Sequence, residues 1–244
     1  MNEILCRQLA RDYCCTPEEV CDRAHHFTEH RFLDGRRRFQ EGRACFLKIA
    51  VVNGKLLFTG QREIVDWCRE AYASACAPWF FEAKNLRALN DRLYACGRQI
   101  EMVHPFFIAE RPSETDTEGY EIRWFRDGEI ERFRGDARFD EAFAFCADAP
   151  DLLGVAALRE GEILGMAGAS GDSPTMWQIG INVIPGEEGA GIGTMLVTLL
   201  KNEILRRGIL PFYGTSLSHL ASQRLALAAG FVPAWAELAT SEIK

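Results

Sequence analysis

The stretch Gln178–Arg207 reads QIGINVIPGEEGAGIGTMLVTLLKNEILRR and contains the most informative pattern in the chain. A strand is expected to end at Ile184, a glycine-rich turn occupies residues 186–193, and a long helix is expected over Gly191–Arg207. The first N–H groups of a helix have no partner inside the helix, and the helix dipole adds positive potential at that end. Glycines let an anion approach the backbone closely. This order of elements therefore predicts a phosphate-binding turn.

Two common phosphate-binding motifs do not fit this turn. A P-loop requires a lysine directly after the second glycine of Gly-x4-Gly, and Ile192 stands at that position. A dinucleotide-binding fold requires Gly-x-Gly-x-x-Gly and an acidic residue about 20 positions further on. Here the turn reads Gly-x-Gly-x-Gly, and the next strand is expected to end in Thr215-Ser216, without an acid.

The turn resembles the signature of the GNAT superfamily of acyl-CoA-dependent N-acetyltransferases, Gln/Arg-x-x-Gly-x-Gly/Ala, preceded by Val-x-Pro. The matching positions are Val183, Pro185, Gly189, Gly191, Ile192, Gly193 and Leu196. A second match lies about 30 residues further on. There, residues 219–231 (HLASQRLALAAGF) are similar to the family's Asn-x-x-Ser-x-Arg-x-Ala-x-x-x-Gly-Phe helix. The resemblance covers residues 120–244.

This resemblance implies an α/β fold of the α+β kind, with a mixed, twisted sheet flanked by helices. It also implies acetyl-CoA as co-substrate and transfer of its acyl group to an amine. In this family the strand before the turn binds the pantetheine through its backbone, and the turn amides hold the pyrophosphate. The implied donor-binding residues are Ile181, Asn182, Val183, Glu188, Gly189, Ala190, Gly191, Ile192, Gly193 and Thr194, with Ser222 and Arg224 on the following helix.

The sequence departs from the family pattern at two places. Glu188 stands where the family has Arg or Gln, and no Lys or Arg occurs between Arg159 and Lys201, so backbone groups would hold the phosphates. Ala226 stands where many members have a tyrosine that protonates the leaving thiolate. Three residues are candidates for catalysis in its place: Tyr213, Ser222 and His219.

The residue that removes the proton from the amine is not identified by the sequence. Family members often use a glutamate on the strand before the turn, but this strand carries Gln178, Gly180 and Asn182 there. Asp172 could act through a water molecule, although its Gly-Asp-Ser-Pro setting is typical of a turn.

The polar segment RPSETDTEG at residues 111–119 predicts a linker. We expect a smaller α/β N-terminal domain over residues 1–115, which could supply substrate contacts or a lid, and the GNAT-like domain over residues 120–244. Within the first, Ile4–Tyr13 is expected to be helical and a second helix to run from Thr16 to about His30. Asn53-Gly54 predicts a hairpin. Within the second, Glu160-Gly161 also predicts a hairpin, and Asp127–Phe133 and Phe139–Cys146 predict short helices.

Composition excludes some classes of function. The net charge of −7 argues against general nucleic-acid binding, which requires a basic surface. No run of apolar residues is long enough for a membrane span, and the first ten residues lack a signal-peptide core. We therefore expect a cytoplasmic protein without a nucleic-acid or membrane partner, with a homodimer as a possible assembly. The excess of acidic over basic residues favours a cationic amine as substrate.

The nine cysteines all lie at or before position 146, and none forms a Cys-x-x-Cys pair. Three of them, Cys14, Cys15 and Cys21, lie with His25, His26 and His30 in residues 14–30, but without the paired spacing of a zinc site, so no metal is expected. Arg36, Arg37, Arg38 and Arg43 predict a solvated charged turn, with anion binding as the alternative.

Three functions remain open from the sequence. The first is an N-acetyltransferase that acts on the amine of a small molecule or a peptide. The second is a non-catalytic GNAT-fold module that binds acyl-CoA or serves as a regulatory scaffold. The third is an unrelated phosphate-binding enzyme.

Overall fold

The computed structural model describes residues 1–37 and 44–243, apart from the side chain of Asp127. Its contacts divide the chain into two compact units. Unit 1 comprises Met1–Phe106, Ser216–Ser218 and Ala234–Lys244, and unit 2 comprises Phe107–Thr215 and His219–Pro233. The final strand of the chain thus contributes mainly to unit 1, whereas the sequence analysis assigned it to the C-terminal domain. The expected division at residues 115–120 stays a prediction.

Unit 1 contains the strands β1 (His26–Glu29), β2 (Leu47–Val52), β3 (Lys55–Gly60), most of β4 (Arg98–Ile108) and most of β10 (Val232–Glu242). The strand order is β1-β3-β2-β10-β4. Strands β2 and β3 form the predicted hairpin, and Asn53 and Gly54 both have positive φ, as a type I′ turn requires.

The described residues of unit 1 contain four α-helices: α1 (Glu3–Asp12), α2 (Pro17–Cys21), α3 (Arg62–Tyr72) and α4 (Ala83–Tyr94). The expectation that α2 continues to His30 is wrong. Asp22 adopts an extended conformation, and its carboxylate accepts the N–H of Ala24 at 2.9 Å, a local bond that competes with helix continuation. Residues 26–29 instead pair in parallel with β3.

A buried ionic cluster in unit 1 corrects the expectation for one of the four arginines. Arg37 is only 4% exposed and pairs with Asp12 at 2.5 Å and Glu237 at 2.8 Å. Lys48 completes the cluster, 2.9 Å from Glu237. Arg37 is thus a structural ion-pair residue rather than part of a solvated turn. Arg38 and Arg43 lie outside the described residues.

Unit 2 contains β5 (Glu121–Arg126), β6 (Asp151–Arg159), β7 (Glu162–Ser170), β8 (Met176–Val183) and β9 (Leu210–Gly214), in the spatial order β9-β8-β7-β6-β5. Strands β5 to β8 are antiparallel neighbours, and β9 runs parallel to β8. This mixed sheet confirms the fold class. The hairpin around Glu160-Gly161 is also confirmed, because both residues have positive φ between β6 and β7.

Each face of the unit 2 sheet has its own apolar core. Helix α5 (Ile192–Arg206) packs on one face, where Val155, Ala167 and Ile179 belong to the same apolar core as Leu196 and Leu200. Helix α6 (Leu220–Ala228) adds Ala226 to the same core. The opposite face is covered by a cluster that is rich in phenylalanine: Phe125, Ile130, Phe133, Phe139, Ala142, Phe143, Ala156, Leu158 and Met166.

The segment between β5 and β6 differs from the sequence expectation in its second half. Asp127–Phe133 forms a 3₁₀ helix, as a short helix was predicted there. Phe139–Cys146 is not a helix: a 3₁₀ turn at Ala137–Phe139 precedes an irregular segment. The side-chain oxygen of Asn182 accepts hydrogen bonds from the N–H groups of Glu141 and Ala142, and these two bonds hold the segment against the sheet. In the described part of the chain, no helix is long and apolar enough to cross a membrane.

Candidate active site

The parallel strands β8 and β9 stay together for only three residue pairs, of which the last is Gln178↔Phe212. Strand β8 then continues to Val183 and β9 to Gly214, and no further pair joins them within the described residues. The backbone groups on the β9 side of Ile179–Val183 consequently have no strand partner within the described residues, and we call the gap between β8 and β9 beyond Gln178 and Phe212 the opening. A ligand with amide groups could pair with that edge as an additional strand does.

The glycine turn closes one end of this opening. Gly191 caps α5 in the left-handed conformation, with φ +81°, and offers no side chain. The first amide that finds a backbone acceptor is that of Met195, which donates to the Gly191 carbonyl at 3.0 Å. Within the described residues, the six amides of 189–194 have no acceptor. Together with the dipole of a 15-residue helix, they form the expected anion-binding end.

Glu188 turns back toward its own turn. Its carboxylate accepts the N–H of Gly186 at 2.6 Å. This hydrogen bond orders the first half of the turn. It also holds the Glu188 carboxylate at Gly186, away from the amides of 189–194. The negative charge remains near the turn, and no cation occurs in residues 160–200 to offset it.

Gly193 has a packing role. A Cβ at this position would lie 2.7 Å from a methyl group of Leu225 and 3.3 Å from one of Val183. The glycine therefore lets α5 begin in close contact with α6 and with the end of β8. This contact positions the helix N-terminus beside the opening.

Tyr213 and Ser222 meet beside the opening. Their hydroxyl oxygens are 2.8 Å apart, and both residues are at least nine-tenths buried. Burial raises the pKa of Tyr213 above its ordinary value; the hydrogen bond with Ser222 acts against this rise, and the negative charge of Glu141 adds to it. The phenol is thus protonated at neutral pH. Each of the two hydroxyl groups carries one hydrogen, and the hydrogen bond between them uses only one of these. The other hydrogen can be donated to a third group, such as a bound ligand.

The other predicted site residues are distributed differently. His219 is the N-cap residue of α6, with an exposed side chain that does not cap the helix. Arg224 lies on the exposed face of α6, whereas Ser222 and Ala226 lie on its buried face. The catalytic and donor-binding roles assigned to these residues stay predictions.

Asp172 and Lys201 are engaged elsewhere in unit 2. Asp172 is buried and accepts the Ser170 hydroxyl at 2.7 Å, as a turn residue. Lys201 is fully buried, and its ammonium donates to the Ala229 carbonyl at 2.7 Å and to the Ser113 hydroxyl. It therefore holds the end of α6 and the segment before β5. In residues 1–37 and 44–243, no group of three or more His, Cys, Asp or Glu residues is arranged to hold a metal ion.

One acidic residue of unit 2 was missed by the sequence analysis. Glu141 lies in the irregular segment that packs against β8, at the start of the opening. Its negative charge adds to the rise that burial causes in the pKa of Tyr213. The family pattern places the carboxylate on β8 itself, and the sequence predicted a helix at residues 139–146. Glycines at positions 154, 168 and 180 are visible in the sequence, but their alignment across the three strands is not.

The comparisons with known proteins agree with this architecture. The model of the family described as "Acetyltransferase (GNAT) family" matches residues 109–231. The GCN5-related N-acetyltransferase of Sphaerobacter thermophilus is similar over 99% of this chain and 92% of its own, with 14% identity and a TM-score of 0.52. A GCN5-related N-acetyltransferase-like protein of Streptococcus suis is similar over 95% of this chain and 97% of its own, with 14% identity and a TM-score of 0.49. No curated protein matches.

The family match covers half of the chain, from the end of β4 to Phe231, and includes the glycine turn, α5 and α6. The chain therefore belongs to the acetyltransferase (GNAT) family. The likeness to the Sphaerobacter thermophilus structure extends over nearly the whole chain and shows a shared fold.

Proposed function

We propose that the protein transfers an acetyl group from acetyl-CoA to an amine of a small molecule or a peptide. The observation that carries this proposal is the position of the unpaired amides. They lie at the N-terminus of α5, at the end where β8 and β9 separate. One edge of β8 could then bind the amides of a pantetheine, and the amides of 189–194 its pyrophosphate.

The residues present fit this donor. Three glycines of the turn, Gly186, Gly189 and Gly191, have positive φ, and a Cβ at any of them would meet nothing within 4 Å. The space beside the turn is therefore open to a phosphate group. Acetyl-CoA supplies an activated acyl thioester, so the protein has to bind, orient and assist proton movement.

We assign to Tyr213 the role of hydrogen-bond donor to the sulfur atom that leaves the acyl group. Its hydroxyl is protonated, buried and next to the opening, and the bond with Ser222 limits its orientation. An ordinary thiol has a pKa of about 8.5, below that of this phenol. Tyr213 therefore serves mainly as a hydrogen-bond donor that disperses negative charge on the departing sulfur.

Titration calorimetry with acetyl-CoA, NADPH and ATP tests the donor site. We expect binding of acetyl-CoA alone. Ala190→Asp should weaken that binding about tenfold or more, since a carboxylate beside the phosphates repels them by about 1 to 4 kcal/mol. The same carboxylate favours the helix dipole, so the loss would not come from an unfolded helix. Ala190→Ser is the matched neutral control.

Labelled acetyl-CoA, offered with a panel of amines, tests the reaction. The panel should contain an alkyl diamine, an amino acid amide and a peptide with a free N-terminus. Transfer to any of them supports the proposal. Binding of acetyl-CoA without transfer to any amine would favour a binding module instead.

A further inference from the structure

A row of three glycines crosses the face of the unit 2 sheet that lies opposite α5. Gly154 on β6 pairs with Gly168 on β7, which pairs with Gly180 on β8. A Cβ at Gly180 would overlap the carbonyl of Glu141, and a Cβ at Gly168 would overlap that of Ala142. Only glycine allows a chain segment to lie so close to the sheet.

The segment in this glycine row is held by one side chain. The amide oxygen of Asn182 accepts the N–H of Glu141 at 3.0 Å and that of Ala142 at 2.7 Å. The amide nitrogen of Asn182 donates to a carboxylate oxygen of Asp140 at 3.2 Å. Three consecutive residues are thus fixed by Asn182, which lies on the same face of β8 as Gly180.

This arrangement places Glu141 at the opening between β8 and β9. Gly180 is the second residue after Gln178, where the pairing with β9 stops, and Tyr213 directly follows the last paired residue of β9. Burial raises the pKa of Tyr213, and the negative charge of Glu141 adds to that rise. The Glu141 side chain is exposed and therefore accessible to a substrate.

We propose that Glu141 accepts the proton of the attacking amine, and that Asn182 is the residue that positions it. This inference rests on the proposed function. Helix α5 and its phosphate-binding end lie on one face of the sheet, and the segment of Glu141 lies on the other. The amine would approach from the face that the donor leaves free.

The proton and electron balance of the step is simple. The nitrogen lone pair forms the new C–N bond as the C–S bond breaks, and the bonding electrons leave with the sulfur. The nitrogen becomes more acidic as the C–N bond forms, and its proton passes to the Glu141 carboxylate. Tyr213 donates a hydrogen bond to the sulfur. The immediate products are an N-acetyl amide, the thiolate of the donor and a protonated Glu141. Glu141 then releases its proton to water, and the thiolate takes one proton from water to become the free thiol.

The first experiment compares wild type, Glu141→Gln and Glu118→Gln with acetyl-CoA and the best acceptor of the amine panel. Glu118 is an exposed glutamate elsewhere in unit 2, so its variant carries the same charge change. We expect Glu141→Gln to lose about 100-fold or more in kcat and the acidic limb of its pH profile. Its affinity for acetyl-CoA should be unchanged, and Glu118→Gln should behave as wild type.

The second experiment tests the positioning role by exchanging a donor and an acceptor. Asn182→Asp keeps the acceptor for both N–H groups but sets a carboxylate against Asp140, so kcat should fall with little change in KM. Adding Asp140→Asn restores a donor opposite an acceptor and should recover most of the loss. Asn182→Asp should also shift the acidic limb of the pH profile, and the double variant should return that limb to its wild-type position. A merely structural role would lower the free energy of unfolding and leave the pH profile unchanged.

The outcomes separate the two proposals. Wild type that binds acetyl-CoA but transfers to no amine would overturn both. Transfer by wild type that Glu141→Gln leaves intact would overturn only the role of Glu141. Loss in Glu141→Gln with no recovery in the double variant would overturn the role of Asn182.

Discussion

Gly168 and Gly180 lie directly opposite each other on β7 and β8, and the carbonyls of Ala142 and Glu141 rest where their side chains would be. We predict that Gly180→Ala destabilises the protein by about 1 to 3 kcal/mol, because a methyl group there forces the segment of Glu141 away from the sheet. Urea unfolding would measure this loss. If Glu141 acts as proposed, the same variant also loses kcat.

Gly128→Ala is the control for the Gly180 variant. Gly128 does not have a positive φ, and a Cβ there would meet nothing within 4 Å. Its stability should be unchanged or slightly higher, since alanine has fewer unfolded conformations than glycine. Equal stabilities of the two variants would show that the segment of Glu141 is not packed in the glycine row.

A β-bulge explains why the sequence did not indicate this row. The hairpin around Glu160-Gly161 was predicted, and a regular two-residue turn would pair Gly154 with Ala167. The structure instead has a register shift between Ala157 and Leu158, which brings Gly154 opposite Gly168. A bulge adds one residue to one strand and is not encoded in apolar periodicity. The glycines could therefore be seen in the sequence, but not their alignment.

The site divides in a similar way into local and long-range parts. The glycine turn, the strand before it and the helix after it are contiguous, so the order of residue types was sufficient to predict the anion-binding end. The contact of Tyr213 with Ser222 joins a strand to a helix nine residues later, and both residues were candidates. Glu141 reaches the site through Asn182, which lies 41 residues further along the chain, and no local pattern predicts such a contact.

We predict that Tyr213→Phe lowers kcat by about 100-fold, because one hydrogen-bond donor to the departing sulfur is lost, while acetyl-CoA binds as before. The variant removes only the hydroxyl and keeps the ring, whose centroid lies 6.1 Å from the ring centroid of Phe231. Ser222→Ala should have a smaller effect, because the phenol remains. Steady-state kinetics and calorimetry measure the two quantities separately.

Tyr120→Phe is the matched control for the loss of a phenolic hydroxyl. Tyr120 is partly buried in unit 2 and packs against the same core as Tyr213. It should keep full activity. Full activity in Tyr213→Phe, or an equal loss in both variants, would contradict the role that we assign to Tyr213.

Glu188→Gln should strengthen the binding of acetyl-CoA by about three- to tenfold. The glutamine oxygen can still accept the N–H of Gly186, while the charge that repels a pyrophosphate is removed. Glu188→Arg should strengthen it further, because it adds a cation to a turn that has none in residues 160–200. Calorimetry at low and high salt measures both, and the gain should shrink as salt screens the charges.

The control for this charge removal is Glu187→Gln. Glu187 is the neighbouring residue, and its carboxylate lies 3.4 Å from a guanidinium nitrogen of Arg159. Because that charge is already paired, its removal should not tighten binding. If Glu188→Gln and Glu187→Gln bind acetyl-CoA equally well, the carboxylate of Glu188 does not oppose the phosphates.

The buried cluster of unit 1 should make stability depend on pH. Burial alone would raise the pKa of Glu237, but Arg37 and Lys48 outweigh burial and lower it to about 2. Since the pKa is lower in the folded state, the stabilisation is complete above the ordinary glutamate pKa of about 4.3. It is lost as the pH falls from there toward about 2.

We therefore predict that Glu237→Gln costs about 3 kcal/mol or more at pH 7, because it removes the carboxylate that pairs with the two buried cations Arg37 and Lys48. The difference from wild type should narrow as the pH falls through that window, since wild type also loses the charge. Urea unfolding at a series of pH values measures it. Glu131→Gln is the control, because the pair of Glu131 with Arg134 is exposed and should contribute little. A difference between wild type and Glu237→Gln that stays constant with pH would show that charge is not the source of the stabilisation.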